Sequence, residues 1–341
     1  MKAIEITKPG EIRIIDKEMP VAKESEALLK VLYCGICGAD VASYTGNQPF
    51  TTYPRIPGHE FSAQIVEIGE NESGFKAGDI VTANPYFNCK ECYSCKRGLV
   101  NACIDNQTMG VQRDGSFQEY ITMPVERLID GKGLSAEQLA LIEPFSISAH
   151  ALSRAKVSKG DNLLIMGAGP IGLFALIRAK SLGARVAVAD LLDSRLNLAR
   201  EYGADLVINN GREDTKKLCN TFTGGNGFDV CVEACGLPET FLGCIAYAAH
   251  GANIILIGNG KKETTFLHSV ILKKELNIFG SRNSFTTDFN QLIGLVSKGN
   301  MDIMRMVSGV YEKEYAPNAF EALVHNDGSL AKLLIKMDSM Q

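Results

Sequence analysis

Asn162-Leu163-Leu164-Ile165-Met166-Gly167-Ala168-Gly169-Pro170-Ile171-Gly172 is the stretch on which the reading of this chain turns. Residues Asn162–Met166 form a short apolar run of the kind that makes a buried strand. A helix is expected over Pro170–Leu182, with proline in its first turn and Gly183 just past its end. Between them lies Gly167-Ala168-Gly169-Pro170-Ile171-Gly172, a GxGxxG run. Alone that pattern is weak. Placed after a strand and opening a helix, it has the context of a dinucleotide-binding loop. The glycines allow a tight turn and let backbone approach a pyrophosphate, and the helix N-terminus offers unpaired N–H groups to that anion.

The same rhythm continues outward. Strands are expected at Arg185–Ala189, Leu206–Ile208, Phe228–Val232, Asn253–Ile257 and Leu276–Phe279, with a helix at Ser194–Tyr202 closed by Gly203. Repeated strand–helix units imply a parallel sheet covered by helices on both faces, a Rossmann doubly wound α/β domain. Asp190 ends the second strand, eighteen residues beyond Gly172. A carboxylate there accepts from ribose hydroxyls and repels a 2′-phosphate, which favours NAD. Arg195 stands nearby; it either covers the ribose edge or restores NADP binding.

The N-terminal part reads differently. Ala27–Leu32, Ala63–Ile68 and Ile80–Ala83 are short strand candidates bounded by turn residues. After Ser284 the pattern loosens into helices and a last strand at Leu333–Lys336. We expect a β-rich domain over residues 1–146 and 283–341, interrupted by the nucleotide domain over residues 147–282. The 341 residues suffice for two domains, and a net charge of −4 argues against a nucleic-acid partner. No export signal or membrane span is visible, so the chain reads as a cytoplasmic protein with no membrane partner.

Ten cysteines in such a chain point to metal rather than disulfides. Cys89-x2-Cys92-x2-Cys95-x7-Cys103 supplies four thiolates that close a tetrahedron around a structural Zn²⁺. An iron–sulfur cluster uses the same number of cysteines and is the rival. A second set is Cys37, His59, Glu60 and Glu143, in Cys34-Gly35-Ile36-Cys37-Gly38-Ala39-Asp40, Gly58-His59-Glu60 and Ile142-Glu143-Pro144. One thiolate, one imidazole and one carboxylate leave a fourth position open, the pattern of a catalytic zinc. Asp40 is placed to orient His59 from behind. A thiol redox pair at Cys34 and Cys37 is the alternative.

These motifs, in this order and over essentially the whole chain, resemble the zinc-containing medium-chain dehydrogenase family. The resemblance implies a GroES-like catalytic domain followed by a Rossmann domain. It implies two zinc ions per chain, NAD, a small polyhydroxylated substrate and a homo-oligomer, dimer or tetramer. Cys37, His59 and Glu143 would hold the catalytic zinc, with Glu60 entering or leaving its shell. Glu143-Pro144, Gly46-Asn47-Gln48-Pro49-Phe50 and Gly280-Ser281-Arg282-Asn283 look like the sorbitol and hexonate branch, closest to bacterial sugar-acid members such as L-galactonate or L-gulonate 5-dehydrogenases. Arg282 is then a candidate clamp for a substrate carboxylate, and Tyr44 a second candidate substrate contact.

One departure concerns the proton. Members commonly carry Ser or Thr at the position of Ala39 and often His at that of Ala42, where they relay the alcohol proton. With alanine at both, the exit falls to water, Ser43, Tyr44 or Glu60. Other functions consistent with the sequence are a sorbitol- or threonine-type dehydrogenase, or a zinc-stabilised NAD-binding protein without catalysis.

Overall fold

A computed structural model describes residues 1–299 and 301–338. Positions 300 and 339–341, expected in the β-rich domain, lie outside the described residues. Contacts divide the chain into two units, one of Met1–Glu143 with the chain from Ser284 onward, the other of Pro144–Asn283. Among the described residues, no helix is long and apolar enough to cross a membrane.

The first unit is built on a seven-stranded sheet. Its path runs Val307–Glu312, Lys332–Lys336, Glu26–Gly35, Glu60–Ile68, Ile80–Ala83 and Leu128–Asp130, with Tyr120–Pro124 also paired to Glu26–Gly35. The long strand Glu26–Gly35 buries Ala27, Leu29 and Val31 on its inner face, the period of two that burial on one face demands. These pack with Phe61, Ile65, Phe117 and Phe320. The last strand enters from the far end of the sequence and pairs antiparallel with Glu26–Gly35, through Leu334↔Gly35 and Ile335↔Cys34.

The second unit holds a six-stranded parallel sheet. Its order is Leu206–Asn209, Arg185–Asp190, Asn162–Met166, Phe228–Glu233, Ala248–Leu256, Asn277–Gly280. The order reverses beside Asn162–Met166, which makes the end of that strand the topological switch point. Asn162–Met166 is buried along almost its whole length, so it reads as continuous apolar sequence rather than an alternation. The helix after the glycine loop spans Pro170–Ser181. The strand Ala248–Leu256 begins five residues before the apolar run that signals it, because His250 and Gly251 mask its start.

Candidate active site

In the nucleotide unit the three glycines of the loop have three different reasons. Gly167 has φ +108, and a Cβ there would stand 2.5 Å from Cys235 Sγ. A Cβ on Gly172 would collide with the carbonyl oxygen of Gly167, so the helix can lie this close to the loop only without a side chain. Gly169 is the N-cap, with φ −67 and ψ 177, and a Cβ there would meet no atom within 4 Å. Neither backbone nor packing requires glycine at that position, and the empty space is where a pyrophosphate would approach. Pro170 begins the helix, where its missing N–H removes one orphan donor, and Ile171 follows it.

Asp190 is nearly buried, and it braces the loop: Ala168 N–H donates to its Oδ2 at 2.7 Å and Leu192 N–H to its Oδ1 at 3.0 Å. A carboxylate has acceptor capacity beyond those two bonds, so ribose hydroxyls remain within its reach chemically. Arg195 Nη1 stands 3.7 Å from Asp190 Oδ2.

In the first unit Cys37 is the N-cap of the helix Gly38–Tyr44. Asp40, fully buried, accepts from Cys37 N–H at 2.9 Å and from Gly58 N–H at 3.0 Å. One carboxylate therefore ties the loop of Cys37 to the loop of His59. Its Oδ1 also lies 3.9 Å from His59 Nδ1. That nitrogen is buried without a hydrogen-bond partner among the described residues. Ligand atoms of Cys37, His59 and Glu60 all lie within 4.8 Å of one another. Burial pulls the His59 pKa down, but Cys37, Asp40 and Glu143 oppose it and the net shift is upward. An imidazole ringed by a thiol and carboxylates, its Nδ1 side turned toward Asp40, has the donor set that a divalent cation completes.

The two carboxylates have different partners. Both Glu60 oxygens are hydrogen-bonded by Lys332 Nζ, which is buried and also donates to Ile36 O at 3.2 Å. Gly35 makes room for this pair, since a Cβ there would strike the Glu60 side chain. Glu143 instead accepts from Tyr86 Oη and stands outside the 4.8 Å group of Cys37, His59 and Glu60. Burial raises the Glu143 pKa to about 7, against the lowering effect of His59. Sequence reasoning named neither Lys332 nor Tyr86. The signal for Lys332 was a single charge opening the apolar run Leu333-Leu334-Ile335; Tyr86 carried none.

The four cysteines of the lobe also converge within 4.8 Å. A tetrahedron with Zn–S arms of about 2.3 Å has S–S edges of roughly 3.8 Å. Here Cys103 Sγ is 3.5 Å from Cys89 Sγ and 4.0 Å from Cys92 Sγ. Backbone N–H groups of Cys89, Cys92 and Cys95 point at neighbouring sulfurs at 3.2, 3.3 and 3.5 Å, which stabilises thiolates. The Cys95 N–H, followed by the Ile104 N–H, brings the Cys92 pKa down to about 6. All ten cysteines are free of disulfides.

Other expected residues are placed less favourably. Tyr44 is almost buried, its hydroxyl donates to Glu321 and its ring packs edge-on to Phe320. The substrate contact expected of it draws no support from this geometry. Ser43 Oγ bonds Ala39 O at 3.0 Å and Thr51 Oγ1 at 2.8 Å. Two of the proton exits open in the sequence are thus engaged in the fold. Arg282 is exposed, in the segment that follows the strand Asn277–Gly280.

Residues 23–132 match the alcohol dehydrogenase GroES-like domain and residues 170–298 the zinc-binding dehydrogenase domain. The chain is 34% identical over 339 residues to L-galactonate-5-dehydrogenase of Escherichia coli K12, spanning 98% of each. It is 32% identical over 342 residues to sorbitol dehydrogenase of Bacillus subtilis 168, spanning 98% of this chain and 97% of that one. Among solved structures, an Escherichia coli CFT073 alcohol dehydrogenase complexed with NADH superposes with a TM-score of 0.92 at 31% identity, over 98% of this chain and 99% of that one. Galactitol-1-phosphate dehydrogenase of Escherichia coli gives 0.92 at 25% identity, over 98% of this chain and the whole of the other. The chain belongs to the zinc-containing medium-chain dehydrogenases, in the branch that holds the sorbitol and hexonate dehydrogenases.

Proposed function

We propose that this chain oxidises a secondary alcohol of a hexonate or polyol to the ketone, with NAD accepting the hydride, and that a catalytic zinc is held by Cys37, His59 and Glu143. The observation that carries the reading is the convergence of Cys37, His59 and Glu60 beside a separately held Glu143. Charge supports the choice of ligands. Lys332 offsets the charge of Glu60, so the Cys37 thiolate and the Glu143 carboxylate together balance a divalent ion. Glu60 remains close enough to exchange with a ligand when Lys332 lets it go.

When bound, the zinc supplies Lewis acidity that lets an alcohol lose its proton near neutral pH. The protein's part is orientation. Asp40 fixes the backbones of Cys37 and Gly58 and backs the His59 ring. Asp190 and the glycine loop seat the adenosine half of NAD, with Arg195 along its ribose edge. Arg282 is the proposed clamp for a substrate carboxylate. The lobe Cys89, Cys92, Cys95 and Cys103 holds a second, structural zinc.

We also propose a homo-oligomer. Leu267, Leu272 and Ile278 are 68%, 79% and 38% exposed on and near Asn277–Gly280, an edge strand among the described residues, and exposed apolar side chains at a sheet edge suit cover by a second copy. Sedimentation at micromolar concentration tests this; a monomer would end it. The enzymatic reading is tested by following NAD reduction over a panel of hexonates and polyols. No turnover of any secondary alcohol by zinc-replete protein would leave the non-catalytic alternative.

A further inference from the structure

Tyr86 stands out among groups that the proposed function leaves unused. It is buried, 6% exposed, and its hydroxyl donates to Glu143 Oε1. Its backbone is fixed on both sides. Tyr86 N–H donates to Asn84 Oδ1 at 3.0 Å, and Tyr86 O accepts from Arg127 Nη1 at 2.7 Å. The short strand Tyr86–Phe87 is paired with Gln107–Thr108. The next ring, Phe87, is held between two guanidinium groups, Arg113 at 3.7 Å and Arg127 at 4.2 Å from its centroid. Asn84 is anchored in turn by Thr286 Oγ1 at 3.2 Å. A phenol mounted this rigidly fixes whatever it binds.

Glu143 needs such fixing. It is the second residue of the helix Ile142–Arg154 and is buried. A carboxylate on a three-bond stem has several rotamers, and a metal ligand must hold one of them. Glu60 gets its orientation from Lys332, a cation that also cancels its charge. Glu143 accepts from a neutral donor, Tyr86, which directs the carboxylate without adding a charge of its own. Had the two partners been exchanged, the ligand would be the carboxylate already neutralised.

We propose that Tyr86 is a positioning residue for the catalytic metal, holding the Glu143 carboxylate in the orientation that ligates zinc. The inference rests on the reading of Glu143 as a ligand, and the experiment separates the two. Zinc release from the loaded protein to a chromogenic chelator resolves one phase for each site. Tyr86→Phe is expected to speed one phase by about 10- to 100-fold, the usual effect of removing an outer partner of a ligand, and to leave the other unchanged. It should lower kcat with little change in KM for NAD. In a Glu143→Ala background the same change should add nothing further. Unaltered release from Tyr86→Phe, where Glu143→Ala does speed one phase, would overturn the role of Tyr86 and leave the metal site as read. If Glu143→Ala itself alters neither phase while Cys37→Ser abolishes one, Glu143 is no ligand and both statements fall. 3-Fluorotyrosine at position 86 keeps the ring and strengthens the donor. It should slow the same phase even if Tyr86→Phe does not fold, and a faster or unchanged phase would refute the proposal.

Discussion

Two alanine substitutions in one loop should have opposite signatures. In Gly172→Ala the new methyl meets the carbonyl oxygen of Gly167 head-on and stands 3.3 Å from Ile165 Cγ2. Both are parts of a buried strand and its turn and have nowhere to move, so the helix Pro170–Ser181 must back away from the sheet. Overpacking of this kind costs roughly 1–3 kcal/mol, and a backbone obstacle places this case near the top, at about 3 kcal/mol. At roughly 2–4 °C per kcal/mol for a unit of this size, the melting temperature should fall by about 6–12 °C. In Gly169→Ala the methyl meets nothing within 4 Å and the backbone already has ordinary angles. Stability should rise slightly, by about 0.4–1 kcal/mol, through loss of freedom in the unfolded chain. NADH affinity should nevertheless drop about tenfold or more, because the methyl occupies the approach of the pyrophosphate. Calorimetry and NADH fluorescence titration on both variants read the two effects. A Gly169→Ala protein that binds NADH like the parent would refute this account of the loop, as would one that melts as low as Gly172→Ala.

Metal analysis of zinc-replete protein should give two ions per chain. Cys92→Ser should lower the melting temperature sharply, whereas Cys37→Ser should abolish turnover with the fold kept; one zinc or fewer in the parent defeats the two-site reading. Asp190→Ala should weaken NAD and relax discrimination against NADP, and should also loosen the loop, since it strips partners from the buried Ala168 N–H and the half-buried Leu192 N–H; a parent faster with low NADP than low NAD would shift the emphasis to Arg195. Arg282→Ala should raise KM for a hexonate by about ten- to a hundredfold, the worth of a charge-assisted hydrogen bond, and for a neutral polyol only weakly; equal losses would assign Arg282 to cofactor or fold. In metal-free protein Glu143 is an acid whose folded pKa is raised by burial, to about 7 from 4.5, and Asp40 is shifted the same way. A raised acid stabilises the fold below its unfolded pKa and loses that contribution as pH climbs to the folded one. Urea stability of the chelator-treated protein should therefore fall between pH 4.5 and 7, by at most about 3 kcal/mol from Glu143, and zinc should remove the slope; a flat metal-free profile would contradict it.

Much of this was legible in sequence because it is local. The strand Asn162–Met166 and its glycine loop are short-range patterns, and the four-cysteine lobe closes within fifteen residues. Asp40 was found because it lies three residues from Cys37. What escaped was long-range. Lys332 meets Glu60 across 272 positions and Tyr86 meets Glu143 across 57, and nothing in composition or periodicity marks either pair. In the sequence only the family resemblance told Glu60 from Glu143; in the fold their partners differ, Lys332 for one and Tyr86 for the other. Tyr44, expected as a second substrate contact, has its hydroxyl bonded to Glu321, 277 positions away, a partner that no local pattern marks.

The strand Lys332–Lys336 has a consequence for how the protein is made. A ribosome releases residues in order, at about 5–20 per second. Glu60 therefore emerges roughly 15–50 seconds before the lysine that neutralises it. Through that interval the strand Glu26–Gly35 lacks the neighbour that pairs with Gly35, Cys34 and Tyr33. The nascent N-terminal sheet thus carries an open edge beside an uncompensated carboxylate, while the whole nucleotide unit is synthesised between them. Nascent chains stalled before Lys332 should be open to protease at Glu26–Gly35, and completion of the last strand should close that edge and finish the site in one event.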